Sequence, residues 1–592
     1  MTKLFAAAFA VLLLSGCLKD KDNFRNQEDN EALATIYESY YEAYLKLHPL
    51  EATGQGDNRY NDQLPIDIST EYRAKKLEFY QKYLNDLLEI NREELNSGDK
   101  ITYDTFLYTL KNSIGELGFN THFIPFDQFW GLPLTLGQLG SGDGSQPFET
   151  VKDYENWLKR LDKFSVWADT AIVNFKQGMA NEYVLPKALV TKMIPQMNGF
   201  VVEDPTESLF YGPINKFPEN FTESERIKLT GMYKKMIREK VVPSYKKLHD
   251  FLKNEYIFRA RSSSGIANVP NGDEYYKHLI KQWTTTQLTP EEIYEIGTSE
   301  VARIKAEMEK VKKEVGFTGD LNSFFAYLKA DKQFYPYQTP DEVLAAFEEI
   351  HQKVLPNVAK IFTTNPKTAF EIRRTEAFRE ATASAEYNQG TPDGSRPGIF
   401  YVPIPDAKTF NFTSGMESLF LHEAIPGHHY QVSLQQENLK LPKFMRFGWY
   451  GAYGEGWALY CESLGKELGL YTNPYQYMGA LGDEMHRAIR LVVDVGLHNK
   501  NWTREEAIAY MLKNEPAAPE YATMEIERYM AIPGQALSYK IGQLKIIELR
   551  KKYQKQLGEK FNLAAFHDEL LNSGCLPLEV LERKMDAWAE KQ

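Results

Sequence analysis

The sequence has few cysteines, no excess of basic charge and no long apolar run. Three cysteines among 592 residues exclude a disulfide-stapled scaffold and a zinc site built from cysteine pairs. The 69 basic residues are outnumbered by 81 acidic ones, giving a formal charge of −12, and this balance argues against a nucleic-acid partner. The sequence shows no internal repeat, and none of its apolar segments is long enough to cross a membrane as a helix.

Large aromatic side chains, in contrast, are abundant. The chain contains 36 Tyr, 34 Phe and 8 Trp, which is enough ring surface to drive folding and to exclude disorder over most of the length. Its length suits several average domains, or one large catalytic unit with a helical partner. The sequence makes no prediction of an oligomeric state.

The N-terminus has the features of a secretory signal. One basic residue, Lys3, precedes an apolar run over residues 4–14 and the small residues Ser15 and Gly16. The sequence Leu-Ser-Gly-Cys that ends at Cys17 resembles the bacterial lipobox, in which the cysteine is lipidated and begins the mature chain. The alternative is an ordinary cleaved signal in which this cysteine is incidental.

The lipobox resemblance implies a signal peptide over residues 1–16 and a polar tether over residues 17–30, anchored to a membrane of the bacterial cell envelope by lipid on Cys17. Leu18, and not Asp, follows the cysteine, which favours the outer membrane, facing the periplasm, if the host has two membranes. The two other cysteines, Cys461 and Cys575, are expected to be free and buried.

Most of the remaining chain has helical patterning, and we predict a mainly α fold with a small β-sheet. Helix starts are marked by capping boxes at Thr289, Thr339 and Thr503. The best strand candidate is residues 398–405, whose two prolines restrict it to an edge or to the end of a sheet. Residues 369–373 are a second, weaker candidate.

A stretch rich in small residues and turns, residues 261–272, marks a soft boundary. It divides a mainly helical N-terminal region, residues 31–270, from a predicted catalytic region, residues 271–592. The same stretch is also compatible with a long loop inside a single unit.

Candidate metal ligands are concentrated in one region. Five of the 11 histidines lie between His422 and His498. Within the sequence LHEAIPGHHYQ, His422 and Glu423 follow Ser414 and Glu417, which read as a capping box and predict a helix start.

Zinc peptidases of the His-Glu-x-x-His type place two histidines one helical turn apart, with the glutamate as general base. Here the fourth position after His422 is Pro426, which cannot bind a metal and disturbs a helix. We therefore predict His428 as the second ligand. Six residues rotate a continuous helix by about 600°, onto the wrong face, so the helix must bulge or restart at Pro426. His429 is the alternative ligand: seven residues restore the face but lie about 10 Å along the axis.

Glu455 is the predicted third ligand. Its segment, Glu-Gly-Trp-Ala, resembles the one that supplies the third zinc ligand in gluzincin aminopeptidases. Glu462, seven residues further on the same helical face, is expected to support the site or to be structural. The competing interpretation is a helical protein whose histidine cluster is structural.

Four polar residues form one helical face in an otherwise apolar segment: Arg487, Arg490, Asp494 and His498. Buried charges need partners. Two roles are open for this face. Asp494 could orient a ligand histidine while Arg490 or His498 holds substrate, or the charged side chains could simply pair with one another in an ion network.

Gluzincins commonly stabilise the tetrahedral oxyanion with a tyrosine or histidine of a later helix. Tyr529 and Tyr539 are the candidates for this role here.

Several segments together resemble a bacterial family named domain of unknown function 885. They are HEAIPGHHYQ, EGWALY, RAIRLVVDVGLH, PGQALSYKIG, NGDEYYKHLI, LTPEEIYEIGTSEVARI and DGSRPGIFYVP. The family is grouped with the gluzincin-type zinc peptidases, which implies a mainly helical, zincin-like catalytic region with a small sheet. The chain departs from the zincin pattern because it lacks a histidine four residues after His422.

The resulting prediction is a lipid-anchored zinc metallopeptidase that acts on short peptides. His422, His428 and Glu455 would hold Zn²⁺, and Glu423 would act as general base. The strand before the helix would offer an edge to the peptide substrate. Two alternatives remain open: a non-enzymatic metal- or peptide-binding envelope lipoprotein, and a zinc hydrolase of a non-peptide amide or ester.

Overall fold

The computed structural model describes residues 30–376, 380, 383–391, 394 and 396–592. The predicted signal peptide, Cys17 and the tether up to residue 29 lie outside these residues, as do residues 393 and 395 of the segment DGSRPGIFYVP. The fold is mainly α-helical with one small sheet, which confirms the predicted class.

The first half of the described chain is helical. Its helices are α1 Glu31–Leu47, α2 Pro49–Gly54, α3 Thr70–Leu88, α4 Ser97–Leu117, α5 Leu132–Gly140, α6 Val151–Ala180, α7 Lys187–Asn198, α8 Glu223–Met236, α9 Val242–Asn254, α10 Gly272–Thr284, α11 Pro290–Glu314, α12 Leu321–Ala330 and α13 Pro340–Ile361.

The sheet follows, and then the helices that surround the histidine region. The strands are β1 Phe370–Arg374, β2 Glu386–Asn388 and β3 Gly398–Val402. The helices are α14 Met416–Glu423, α15 His428–Glu437, α16 Lys443–Arg446, α17 Gly451–Ser463, α18 Pro474–His498, α19 Arg504–Asn514, α20 Pro519–Ala531, α21 Ser538–Leu557, α22 Leu563–Leu571 and α23 Leu578–Ala589. None of the described helices is long and apolar enough to cross a membrane.

The predicted helix caps are largely present. Thr289 and Thr503 form complete capping boxes at the starts of α11 and α19. Thr339 caps α13 by accepting from the Glu342 amide, while the Glu342 carboxylate accepts from the Gln338 amide.

The predicted capping box at Ser414 is wrong. α14 begins after Gly415, whose φ of 79° is left-handed, and no side chain caps it. Ser414 instead donates to the carbonyl of Asn411, and Glu417 accepts from the Tyr471 amide. Each side chain of the expected pair is therefore engaged elsewhere.

Of the two positions predicted for residues 398–405, an edge or the end of a sheet, the structure shows the second, and the expectation that this strand offers a free edge to a substrate is wrong. β3 is the central strand, parallel to β1 on one side and antiparallel to β2 on the other. Pro403 and Pro405 lie beyond its last residue, Val402, so they sit at the end of the sheet, the other position open to them. Because both sides of β3 are already paired, this strand has no free edge for a substrate peptide.

Two apolar clusters form the interior, and α18 lies between them. Leu491 and Val495 of α18 belong to one cluster, and Val492 and Val493 belong to the other. Each cluster combines residues from before and after position 270, so both cross the predicted boundary. The stretch 261–272 packs on the end of α18, where the Ile266 amide donates to His498 Nδ1 at 3.0 Å.

Helices α17 and α21 cross closely at two glycines. A Cβ on Gly456 would lie 2.4 Å from Gly542 Cα, and one on Gly542 would lie 1.8 Å from the carbonyl oxygen of Ala452. Only glycine allows the two backbones to approach this closely. The crossing brings Glu455 on α17 into the same region as Tyr539 on α21.

Candidate metal centre

The histidine region consists of two helices separated by a short break. α14 ends at Glu423 and α15 begins at His428. The residues between them are non-helical and include a cis Ile425–Pro426 peptide bond. The Pro426 carbonyl accepts a hydrogen bond from Trp457 Nε1 at 2.9 Å, which ties the break to α17. The helix therefore restarts after Pro426, which is one of the two possibilities, a bulge or a restart, that the sequence predicted.

Gly427 permits this tight return of the chain. A Cβ at this position would lie 1.9 Å from the carbonyl oxygen of His422 and 2.3 Å from that of Leu421. Any larger residue would force the start of α15 away from the end of α14. His428, the first residue of α15, is held beside His422 for this reason.

Three side chains converge across the break. Oε2 of Glu455 lies 3.7 Å from Nε2 of His422 and 3.4 Å from Nε2 of His428. The two imidazole rings are perpendicular, with centroids 4.8 Å apart. One ligand atom from each residue falls within 4.8 Å of the others. Among the described residues, this is the one His/Cys/Asp/Glu group with the spacing of a metal site.

The donor set fits Zn²⁺. Zinc takes histidine nitrogens and carboxylate oxygens at about 2.0–2.2 Å in a tetrahedral arrangement, which places ligand atoms about 3.4 Å apart. The two nitrogen-to-oxygen distances at Glu455, 3.7 and 3.4 Å, are close to this spacing. Two imidazoles and one carboxylate also form a common set for catalytic zinc, with one position left for water or substrate.

Glu462 fixes the orientation of His422. The Nδ1–H of His422 donates to Glu462 Oε1 at 2.7 Å, and both side chains are buried. Because Nδ1 donates to Glu462, the nitrogen left to offer a lone pair to a metal is Nε2, the atom that faces Glu455. This histidine–carboxylate pairing is the usual support of a metal-bound imidazole.

The local electrostatics call for a cation. Burial alone would lower the pKa of His422, but the carboxylates of Glu455 and Glu462 outweigh it and raise the pKa well above its usual range. At Glu455, burial acts to raise the pKa, while the His422 and His428 rings lower it strongly, and the net direction is down. With Glu423 also adjacent, acidic groups exceed the two imidazoles, and a divalent ion would balance the excess.

Glu423 is the last residue of α14. Its carboxylate makes no hydrogen bond or ion pair within the described part of the chain, and its side chain is half-buried. Burial raises the pKa of Glu423, and the Glu455 charge raises it further. His422 and His428 act to lower this pKa, but the net direction is up. The result is an unengaged carboxylate beside the three converging side chains.

His429 points away from this cluster. Its Nδ1 lies 3.2 Å from the Tyr387 hydroxyl, and its ring packs on Phe370 of β1 with centroids 4.8 Å apart. Burial lowers the pKa of His429 to about 4. The structure thus seats His429 against the sheet and places His428 with the other candidate ligands.

The two candidate tyrosines have different surroundings. The ring of Tyr539 lies nearly parallel to that of His422, with centroids 6.3 Å apart. Tyr529 is buried, and its hydroxyl accepts from Arg490 Nε at 2.8 Å and donates to Glu525 Oε2 at 2.5 Å. Tyr539 is therefore the tyrosine placed beside the cluster, and Tyr529 is committed to other partners.

Tyr529 and Arg490 belong to a buried network of ions and hydrogen bonds. Nη2 of Arg490 donates to Glu525 Oε2 at 2.9 Å. His486 bridges this carboxylate to Glu515, at 3.3 and 3.0 Å. Of the two roles predicted for Arg490, the structure shows membership of a buried ion network. One of its nitrogens, Nη1, is nevertheless buried without a hydrogen-bond partner.

Asp494 and His498 are structural. Asp494 accepts from the Tyr276 hydroxyl at 2.6 Å and from the Gly534 amide at 3.1 Å, and burial raises its pKa to about 7. Both ring nitrogens of His498 bond backbone groups, those of Ile266 and Tyr529. The expectation that Asp494 orients a ligand histidine is therefore wrong, because Glu462 occupies that position. His498 has no nitrogen left for a substrate.

Two nearby residues carried no functional assignment in the sequence. The Trp449 ring lies 5.8 Å from that of His428 and is 45% exposed, so it forms part of the rim of the site. Arg487 packs its guanidinium on the ring of Tyr539. The sequence placed Arg487 on the same face of α18 as Arg490. It did not show that Arg490 bonds Glu525 and Tyr529 while Arg487 bonds neither. Cys461 and Cys575 are free and buried, as predicted.

Comparison with known proteins gives one family and several solved structures. The family described as "Bacterial protein of unknown function (DUF885)" matches residues 49–585. The "putative lipoprotein" of Colwellia psychrerythraea is 30% identical, with a TM-score of 0.88 over 95% of this chain and 99% of that one. A "putative lipoprotein of unknown function" from Shewanella oneidensis is 19% identical, with a TM-score of 0.73 over 93% and 99%. No curated protein matches.

Proposed function

The chain belongs to the DUF885 family of bacterial proteins of unknown function, and we propose that this member is a zinc-dependent metallopeptidase that hydrolyses short peptides. The observation that carries the proposal is the convergence of His422, His428 and Glu455 within 4.8 Å, next to the unengaged carboxylate of Glu423. A purely structural cluster has no need of a free acid beside its histidines.

His422, His428 and Glu455 would hold the ion, and Glu462 would keep His422 in the required tautomer. Bound there, Zn²⁺ supplies a Lewis acid that polarises a carbonyl and makes water nucleophilic near neutral pH. The preorganised positions of these residues spare the enzyme the cost of assembling the site during the reaction.

Glu423 would move the proton. Its carboxylate accepts a proton from the attacking water and passes it to the nitrogen of the departing amine. The raised pKa of Glu423, a consequence of burial, suits both steps, because a pKa shifted towards the working pH makes the carboxylate a stronger base and leaves both of its protonation states accessible. Tyr539, whose ring stacks on that of His422, would stabilise the oxyanion with its hydroxyl.

The recessed position of the site favours short substrates. The side chains of His422, His428 and Glu455 are 6, 12 and 16% exposed. A bond inside a folded protein could not approach them without local unfolding, whereas a short extended peptide could. The substrate would not add to β3, because both sides of that strand are already paired.

Lipid anchoring at Cys17 is part of the proposal. Both solved structures reported above carry the word lipoprotein in their descriptions, and the lipobox-like sequence that ends at Cys17 supports lipid modification of this chain. An envelope location follows, with the outer membrane favoured by Leu18 if the host has two membranes.

The decisive experiment combines metal analysis with a digest. Purified protein is assayed for zinc by elemental analysis and incubated with a mixed library of short peptides, with and without a chelator. We expect one zinc per chain and cleavage that the chelator abolishes and added zinc restores. A fully zinc-loaded protein that cleaves no peptide would favour a non-enzymatic binder, or a hydrolase of non-peptide amides or esters if it cleaves those.

A further inference from the structure

Arg487 lies beside the metal cluster without a bonded partner. Within the described residues its guanidinium makes no hydrogen bond or ion pair, and its Nε is buried with no partner. Asp483, one helical turn earlier on α18, accepts instead from the Ser418 hydroxyl at 2.5 Å. A guanidinium offers five N–H donors. The buried Nε–H of Arg487 is costly without an acceptor, and the two Nη groups of this half-buried side chain are open to solvent or to a ligand.

The position of Arg487 is set by Tyr539. Its Cζ lies 5.0 Å from the centre of the Tyr539 ring, and that ring stacks at 6.3 Å on the ring of His422. One aromatic ring thus separates the guanidinium from a candidate metal ligand. Arg490 also packs on Tyr539, with Cζ 4.8 Å from the ring centre, and its Nη1 is buried without a partner.

Arg490 is paired with Glu525, whereas no described carboxylate forms an ion pair with Arg487. Burial and the neighbouring Arg490 act to lower the pKa of Arg487, while Tyr539, Glu462 and Asp483 raise it, and the net direction is up. The charge is therefore kept, although no oxygen of the described residues lies within bonding distance. Arg487 in turn acts to lower the pKa of Glu423, as expected of a cation near that carboxylate.

We propose that Arg487, assisted by Nη1 of Arg490, binds the free α-carboxylate of the peptide substrate and so directs cleavage to the carboxyl end of short peptides. This inference rests on the proposed function. A guanidinium binds a carboxylate through two parallel hydrogen bonds. An extended chain advances about 3.3–3.6 Å per residue, so a carboxylate two or three residues beyond the scissile bond would reach a guanidinium that one aromatic ring separates from His422.

The test uses two peptides that differ only in the C-terminal group. A short peptide with a free carboxylate and its C-terminal amide are offered to zinc-loaded full-length protein. We expect kcat/KM to be about 10- to 100-fold higher for the acid, the range of one well-placed charged hydrogen-bonding group. In Arg487→Gln this ratio should fall close to one, and Arg487→Lys should restore part of it. Arg238→Gln, a matched change at an exposed arginine between α8 and α9, should keep the wild-type ratio.

A binding measurement separates this inference from the proposed function. Calorimetry with zinc-loaded Glu423→Gln protein compares the acid and the amide without turnover, and the double variant with Arg487→Gln shows whether the preference depends on the arginine. Tighter binding of the acid, lost in the double variant, supports the subsite even if no peptide is cleaved. Equal treatment of acid and amide by the wild-type enzyme would overturn the subsite while leaving the peptidase proposal intact.

Folding of the variants is checked by circular dichroism and thermal unfolding. If Arg487→Gln does not fold, the inference can still be tested, because the acid-to-amide ratio of kcat/KM is measured on the wild-type chain. A preference for the acid that persists unchanged in folded Arg487→Gln would also overturn it.

Discussion

Glu462 and Glu455 approach His422 from its two sides. Glu462 Oε1 lies 2.7 Å from Nδ1, and Glu455 Oε2 lies 3.7 Å from Nε2. Both glutamates are on α17, seven residues and about 10 Å apart along the helix axis. One rigid element therefore supplies a candidate ligand and the group that orients another ligand, which ties metal binding to the packing of α17 on α21.

Glu462→Gln tests this arrangement. The amide can still accept from Nδ1–H, but it removes the negative charge that strengthens His422 as a ligand. We expect the zinc affinity to fall about 10- to 100-fold, with one zinc per chain still bound at saturating metal. Competition with a coloured chelator measures the change.

Glu467→Gln is the matched control, since Glu467 is a partly exposed residue that pairs with Arg550. It should bind zinc as the wild type does. An affinity of Glu462→Gln equal to that of Glu467→Gln would show that Glu462 is structural and does not support the metal site.

Much of this cluster could be predicted because its chemistry is local. Pro426 excludes a ligand at the usual position, and the nearest histidines beyond it are His428 and His429. Choosing between them required knowledge of the sheet. His429 lies against Phe370 and Tyr387, which are distant from it in sequence.

The parts that the sequence did not reveal depend on non-local partners. Nothing in residues 398–405 shows that strands pair on both sides of them, so the sequence could not choose the end of the sheet over an edge. Ser414 and Glu417 have the spacing of a capping box, yet Glu417 is drawn to the Tyr471 amide. Likewise, Asp494 is on the same helix face as Arg490, but Tyr276, more than 200 residues earlier, takes its carboxylate.

Glu423→Gln should retain zinc and lose turnover. Removing a general base costs about 10²–10⁴-fold in rate, while the three candidate ligands remain. Elemental analysis and peptide hydrolysis of the same preparation check both outcomes. Loss of zinc together with activity would reassign Glu423 as a ligand.

Alanine substitutions at the two adjacent histidines should have opposite consequences. His428→Ala removes a candidate ligand and should weaken zinc binding by several orders of magnitude, with little effect on metal-free stability. His429→Ala should keep the zinc affinity but destabilise the fold by about 1–3 kcal/mol, because its ring fills the space beside β1. Zinc titration and chemical unfolding of both variants measure this, and the reverse pattern would exchange their roles.

Gly427→Ala tests the break between α14 and α15. The added Cβ would lie 1.9 Å from the His422 carbonyl oxygen, so α15 must move and carry His428 with it. We expect a loss of about 1–3 kcal/mol in stability and a marked loss of zinc affinity. Gly231→Ala in α8 is the control, since a Cβ there meets no atom within 4 Å. Unchanged zinc binding by Gly427→Ala would mean that the cluster tolerates movement of α15.

Acid sensitivity of the fold should depend on His567. This buried histidine donates from Nδ1 to the Ile361 carbonyl and accepts at Nε2 from the Tyr460 hydroxyl, both at 2.8 Å. Burial lowers its pKa to about 3 from the ordinary 6.5. Between these values the unfolded chain carries a proton that the folded chain does not, so stability falls as the pH decreases from 6.5 towards 3.

The predicted loss from this one residue is about 2 kcal/mol between pH 7.5 and pH 5, at 1.36 kcal/mol for each unit below 6.5. Denaturant unfolding at the two pH values measures this loss. His567→Gln should be less stable than the wild type at pH 7.5, but its free energy of unfolding should decrease by about 2 kcal/mol less on going to pH 5. Tyr460→Phe removes the hydroxyl partner but keeps the histidine buried, so it should lower stability without removing the pH dependence. Equal acid losses in His567→Gln and wild type would mean that the imidazole can take up its proton within the folded core.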